Sequence, residues 1–131
     1  MIALDTNVLV RFLVEDDAAQ CARAAAVVEE AVAADRKIFL SDLVLAETAW
    51  VLSRAYKFPQ PQILETLDIL LSTRNVAVES PDRARRALRL AGQSGVGFAD
   101  ALIVVRSREL GCGTLYTFDR KLAGLDGVLE P

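Results

Sequence analysis

Histidine is absent from this 131-residue chain. That absence removes the usual general base, the usual zinc ligand and the usual partner of a nucleophilic serine or cysteine. Ser-His-Asp, Cys-His and histidine-ligated zinc chemistries are therefore excluded. Cysteine is nearly absent too: Cys21 and Cys112 stand far apart without CxxC spacing, which fits reduced packing residues rather than a disulfide framework or a zinc site. No excess of positive charge exists either. With 18 acidic against 15 basic residues and a pI near 5.0, the whole molecule repels a polyanion, so any contact with nucleic acid needs a local basic patch or metal ions. Apolar runs are short, five residues at Ala101 to Val105, against the ~20 that a membrane-spanning helix requires. The opening MIALD has no basic segment and is interrupted by Asp5. It does not read as a secretory signal, and a cytoplasmic location is expected.

What is present is aliphatic. Hydrophobic residues make up 53% of the chain and aromatics only 6%, the balance of a helix-rich α/β protein, and the length suits a single domain over 1–131. MIAL followed by Asp5, Thr6 and Asn7 reads as a buried strand turning into a helix through VLVRFLV. Asp17 with Gln20 forms a capping pattern for an Ala-rich helix to about Asp35. KIFL, residues 37–40, is a second strand, and Ser41 or Asp42 caps a helix through LVLAETAWVLSRAY, which Pro59 and Pro61 are expected to end. A further helix runs through ILETLDILLS, and Asn75 to Val78 is a third strand. Ser80 and Pro81 open a helix, Gly92, Gly95 and Gly97 mark a loop, and FADALIVVRSREL resumes helix. LYTF forms a fourth strand with Asp119 immediately beyond it, and Val128 with Leu129 form a fifth. Short apolar strands alternating with helices indicate a parallel sheet covered by helices.

Four carboxylates stand out. Asp5 and Asp119 fall at carboxyl ends of strands, where open α/β sheets place their ligand crevice. Glu47 has Leu43, Val44, Trp50 and Val51 as same-face neighbours on its helix, and so is expected to point into an apolar stripe; Asp100, in the first turn of its helix, is expected to be buried or half-buried beside Ile103 and Val104. Each has an ordinary reading: Asp100 complements a helix dipole, Asp5 and Asp119 form turns, Glu47 pairs with an arginine. Together they carry more, because two carboxylates about 4 Å apart repel by roughly 4 kcal/mol at an effective dielectric near 20. If the four converge they require cations, and without histidine or paired cysteine the fitting cation is a hard divalent metal bound through oxygen, Mg²⁺ or Mn²⁺.

The pieces IALDTNVLV, LVLAETAWVL, GFADALIV and TLYTFDRKL, in this order and spacing over essentially the whole chain, resemble the PIN-domain family, and within it the VapC-type ribonuclease toxins of prokaryotic toxin-antitoxin pairs. The resemblance implies a three-layer PIN-like α/β sandwich with a short parallel sheet of four to five strands. It implies an Mg²⁺- or Mn²⁺-dependent endoribonuclease, with Asp5 and Asp100 as the direct metal ligands and Glu47 and Asp119 completing an acidic pocket. Thr6, Asn7 and Thr117 match the family's polar residues beside the first and last acidic positions; their ordinary readings are helix-cap and strand-end residues. It further implies an RNA substrate, a VapB-like antitoxin and a homodimer. The chemistry agrees, since a pair of divalent ions can activate water and stabilise the departing oxygen with no protein nucleophile. For holding the substrate, Arg120 and Lys121 adjoin the last acidic residue, while Arg83, Arg85, Arg86, Arg89, Arg106 and Arg108 are further candidates whose default reading is a solvated surface.

Two other readings stay open. A phosphotransfer or phosphatase-type α/β domain would use Asp5 as phosphoacceptor, but Asn7 stands where such phosphatases carry a second Asp, and the acidic pair of a receiver domain is missing. A catalytically inert PIN-like module would grip RNA or a protein without cutting, although such relatives usually lose acidic residues and all four are retained here.

Overall fold

The computed structural model describes residues 1–131. The chain runs β1 (Ile2–Ala3), α1 (Thr6–Leu13), α2 (Ala18–Ala33), β2 (Ile38–Leu40), α3 (Asp42–Arg54), α4 (Gln60–Ser72), β3 (Val76–Val78), α5 (Pro81–Ser94), α6 (Phe98–Glu109), β4 (Leu115–Tyr116), a 3-10 turn (Leu122–Gly124) and β5 (Val128–Leu129). Every strand pair is parallel, as the strand-helix alternation requires. The five strands form two ladders, β1-β2-β3 and β4-β5. Ile2 and Val76 both sit opposite Ile38, and Leu115 opposite Val128.

Local chemistry sets the helix starts. The Asp17 carboxylate accepts from the Gln20 amide at 3.0 Å, the Ser41 hydroxyl from the Val44 amide at 3.1 Å, and the Ser80 hydroxyl from the Arg83 amide at 3.1 Å with Pro81 at the first helical position. Each cap satisfies a first-turn N–H that has no partner within the helix. Helix α3 stops at Arg54 rather than at the proline pair. Lys57, with φ of 58°, turns the chain, and Pro59 instead caps α4 with Pro61 in its first turn.

Helices α1, α5 and α6 pack against α3, α4 and one another around Leu45, Leu52, Leu67, Phe98 and Val104, all but fully buried. Ala84, Ala87 and Ala91 put a buried small-residue face on α5, which lets it lie close against α4 and α6 while Arg86 and Arg89 face outward. Cys21 is half-buried, its thiol donating to the Val14 carbonyl at 3.0 Å. Cys112 is exposed rather than packed, because it follows the left-handed Gly111 turn that ends α6. No helix is long and apolar enough to cross a membrane.

Candidate active site

Asp100 and Asp119 line one concavity of about 340 Å³ together with Trp50, Ser53, Arg54 and Gln60. Gly97 opens α6 and places Asp100 in its first turn, half-buried. Burial foremost, and then the negative charge of Asp119, raises the Asp100 carboxyl above the ordinary aspartate range. Asp119 is exposed and lies in a turn, not directly on the strand end, since β4 closes at Tyr116. The Asp119 amide donates to the Thr117 hydroxyl at 3.0 Å, and its carboxylate accepts from the Leu122 amide at 2.9 Å. Thr117 thus orders the turn that presents Asp119, a local side chain-to-backbone bond of the kind that ends strands.

Asp5 and Glu47 do not line this concavity. The Asp5 carboxylate caps α1, accepting from the Thr6 amide at 2.8 Å. Glu47 is exposed rather than set in an apolar stripe, because two of the neighbours expected to bury it, Leu43 at 67% and Trp50 at 56%, are themselves exposed. No group of three or more carboxylates gathers within reach of one ion. The Asp5 carboxylate is taken up by the helix amide it caps. None of the four forms a salt bridge with any Lys or Arg. Asn7 faces a different concavity, with Arg11, Gln20 and Arg23 between α1 and α2. The hydroxyls of Thr6 and Thr48, each next in sequence to one of the acidic residues, are buried without a hydrogen-bond partner.

Most of the candidate arginines are engaged, whereas Arg89 makes no ion pair and lines a separate concavity with Arg86 and Arg108. Arg83 bridges Asp42 and Glu109, Arg85 pairs with Asp68, Arg86 with Asp82, Arg106 with Glu109, and Arg108 donates to the Asp126 carbonyl. Arg120 and Lys121 carry no ion pair and are exposed. The Lys121 ammonium lies over Gly95, where a Cβ would come within 3.2 Å of it. Gly95 has φ of 79°, so the turn that leads into α6 accepts only glycine without strain. Arg54 was not singled out by the sequence reasoning. It stacks on the Trp50 ring at 5.4 Å from the centroid, inside the Asp100–Asp119 concavity. The Trp-to-Arg spacing of four on one helix is the signal that could have found it.

A family model described as PIN domain matches residues 2–128. The chain belongs to the PIN-domain family. It is also similar to a protein named VapC ribonuclease from Aquifex aeolicus (strain VF5), 26% identical over 125 residues that cover 95% of this chain and 92% of the relative. The six helices and all-parallel strands agree with the PIN-like α/β architecture. Within this PIN domain, Asp100 and Asp119 form an all-oxygen pair with uncompensated charge. That donor set fits a hard divalent cation, which is commonly held by one or two carboxylates and retains several waters.

Proposed function

We propose that this PIN domain is a divalent-metal-dependent endoribonuclease, the toxin of a toxin-antitoxin pair. The observation that carries the reading is the unpaired Asp100–Asp119 couple facing one concavity, with the Asp100 anion destabilised first by burial and then by the charge of Asp119. A bound Mg²⁺ or Mn²⁺ would supply Lewis-acid activation of water and would neutralise charge developing on the phosphate. Asp100 and Asp119 would hold it, with Asp5 and Glu47 completing the acidic set as their match to the family pattern suggests. Thr117 fixes the Asp119 turn, and Thr6 and Asn7 flank Asp5. Arg120 and Lys121, free of ion pairs beside Asp119, take the RNA phosphates. The relative's name supports an RNA substrate; a VapB-like antitoxin, a homodimer and a cytoplasmic setting belong to the same proposal.

The test is RNA cleavage with analysis of the product ends. Attack by a ribose 2′-hydroxyl needs a protein acid and base and leaves a 2′,3′-cyclic phosphate. Metal-assisted hydrolysis leaves a 5′-phosphate and a 3′-hydroxyl. Cleavage should stop in EDTA, return with Mn²⁺ or Mg²⁺, and give downstream fragments that ligate without prior phosphorylation. Cyclic phosphate ends, or full activity in excess chelator, would overturn the reading.

A further inference from the structure

We infer that Trp50 and Arg54 form a stacking platform that receives an unpaired base of single-stranded RNA beside the Asp100–Asp119 couple. The inference rests on the proposed function for the identity of the nucleic acid. It names two recognition residues that reading does not use.

The geometry is specific. Trp50 and Arg54 are one turn apart on α3, and both line the concavity that contains Asp100 and Asp119. The indole is 56% exposed although it is one of the largest apolar surfaces in the chain. Arg54 lies over that ring at 5.4 Å, close enough for a cation–π contact, and pairs with no carboxylate. The contact limits the rotamers of a long side chain, so the guanidinium is held before any ligand arrives. A volume of about 340 Å³ lies at the small end of the ~300–1,000 Å³ typical of ligand pockets, room for one nucleotide rather than a duplex. A base stacking on the indole covers its exposed face, while the guanidinium lies within reach of the adjoining phosphate. Any base has a π-face, so the platform selects unstacked nucleotides over paired ones rather than one base over another. It also supplies positive charge where a net-acidic protein must meet a polyanion.

Trp50 is the chain's single tryptophan, so its fluorescence reports on this position alone. The experiment titrates the full-length Asp100→Asn protein with a short single-stranded RNA, the same sequence as a duplex, and an abasic ribose-phosphate oligomer. Quenching should be strong with the single strand and weak with the other two. In the otherwise wild-type protein, Trp50→Ala should raise KM for single-stranded RNA roughly 5- to 150-fold, the range seen on removing one base-stacking aromatic, with kcat changed far less. Trp50→Phe should restore most of the affinity, and Arg54→Ala should weaken binding where Arg54→Lys does so less. Because Trp50 is exposed, its truncation leaves no core cavity. Equal quenching by the abasic oligomer, or an unchanged KM in Trp50→Ala, would overturn the platform and leave the nuclease reading intact. Loss of a dimer in Trp50→Ala with an unchanged KM would instead make Trp50 a protein contact. Single-strand-selective quenching in a protein that cuts no RNA would keep the platform and remove the nuclease.

Discussion

Arg83 offers the sharpest separation of structure from function. It lies on α5 among the arginines that a sequence reader offers to RNA, yet its guanidinium is only 12% exposed and reaches Asp42 on α3 at 2.6 Å and Glu109 on α6 at 2.5 Å. The second oxygen of Asp42 is buried with no partner, and the Asp42 amide is taken by Glu79 at 2.9 Å. Replacing Arg83 with Met keeps the aliphatic stem and removes the cation. Two hydrogen bonds to charged groups are then lost, each about 1.5–3 kcal/mol, and a carboxylate is left unpaired in a site where breaking a buried pair costs about 3–5 kcal/mol. Glu109 is 33% exposed and recovers some hydration, so the net loss should be about 2–4 kcal/mol. For a domain of this length that corresponds to a Tm lower by about 6–20 °C, measured by circular dichroism. RNA KM, corrected for the folded fraction, should not move. Adding Asp42→Leu should recover part of the stability, since removing both partners of a buried pair is much less costly than removing one. A variant that melts with the wild type yet binds RNA more weakly would refute the brace and return Arg83 to the substrate surface.

Asp100→Asn should cut RNA cleavage by at least about 100-fold, the scale on which loss of one electrostatic contributor acts, while Tm holds or rises. Asp100 binds its proton more tightly folded than unfolded, through burial first and the Asp119 charge second, so wild-type stability falls as pH climbs from the ordinary carboxylate range through the raised value; the variant should lack that slope, and a matching slope would refute the raised Asp100 value. Tyr56 donates to Asp16 at 2.5 Å and accepts from Arg11 at 2.7 Å, and this hydrogen bond, more than the Arg11 charge, holds the Asp16 carboxyl below its ordinary range. The stabilisation is complete above the unfolded value near about 3.9 and is lost as pH falls through the lower folded one, so Tyr56→Phe should lower Tm at neutral pH and shrink the acid-side decline; an unaltered acid limb would refute it. Replacing Arg120 and Lys121 together with Gln should weaken RNA binding and reduce its dependence on log[salt] by a slope of about 1.4 for a single strand; an unchanged slope would remove both from the phosphate track.

Much of the fold was legible because helix caps are local chemistry. Asp17, Ser41 and Ser80 accept from the expected amides, and no distant contact is needed to bring cap and amide together. The end of α3 was not legible, because Lys57 carries a left-handed φ that its residue type does not advertise. Nor was the exposure of Glu47. A helical stripe of Leu43, Glu47 and Trp50 looks the same in sequence whether it faces the core or solvent, and here all three are exposed. The Asp100–Asp119 approach is likewise tertiary: one residue sits on a helix start, the other in a turn held by Thr117, and they line one concavity.

That arrangement bears on how an acidic protein handles RNA. A net charge of −3 disfavours approach at long range, and four of the six outlying arginines are already tied to carboxylates through Arg83, Arg85, Arg86 and Arg106. The cations without ion pairs near the acidic couple are Arg54, across the concavity, and Arg120 and Lys121, next to Asp119 in sequence. These three cations supply attraction close to two carboxylates whose own repulsion a divalent cation would relieve. Without that cation the couple opposes the phosphate; with it, the same two groups become its support. Substrate affinity and cation binding are therefore expected to be coupled in the same protein, and RNA should bind more tightly at millimolar Mg²⁺ than in EDTA even in a variant too slow to cut.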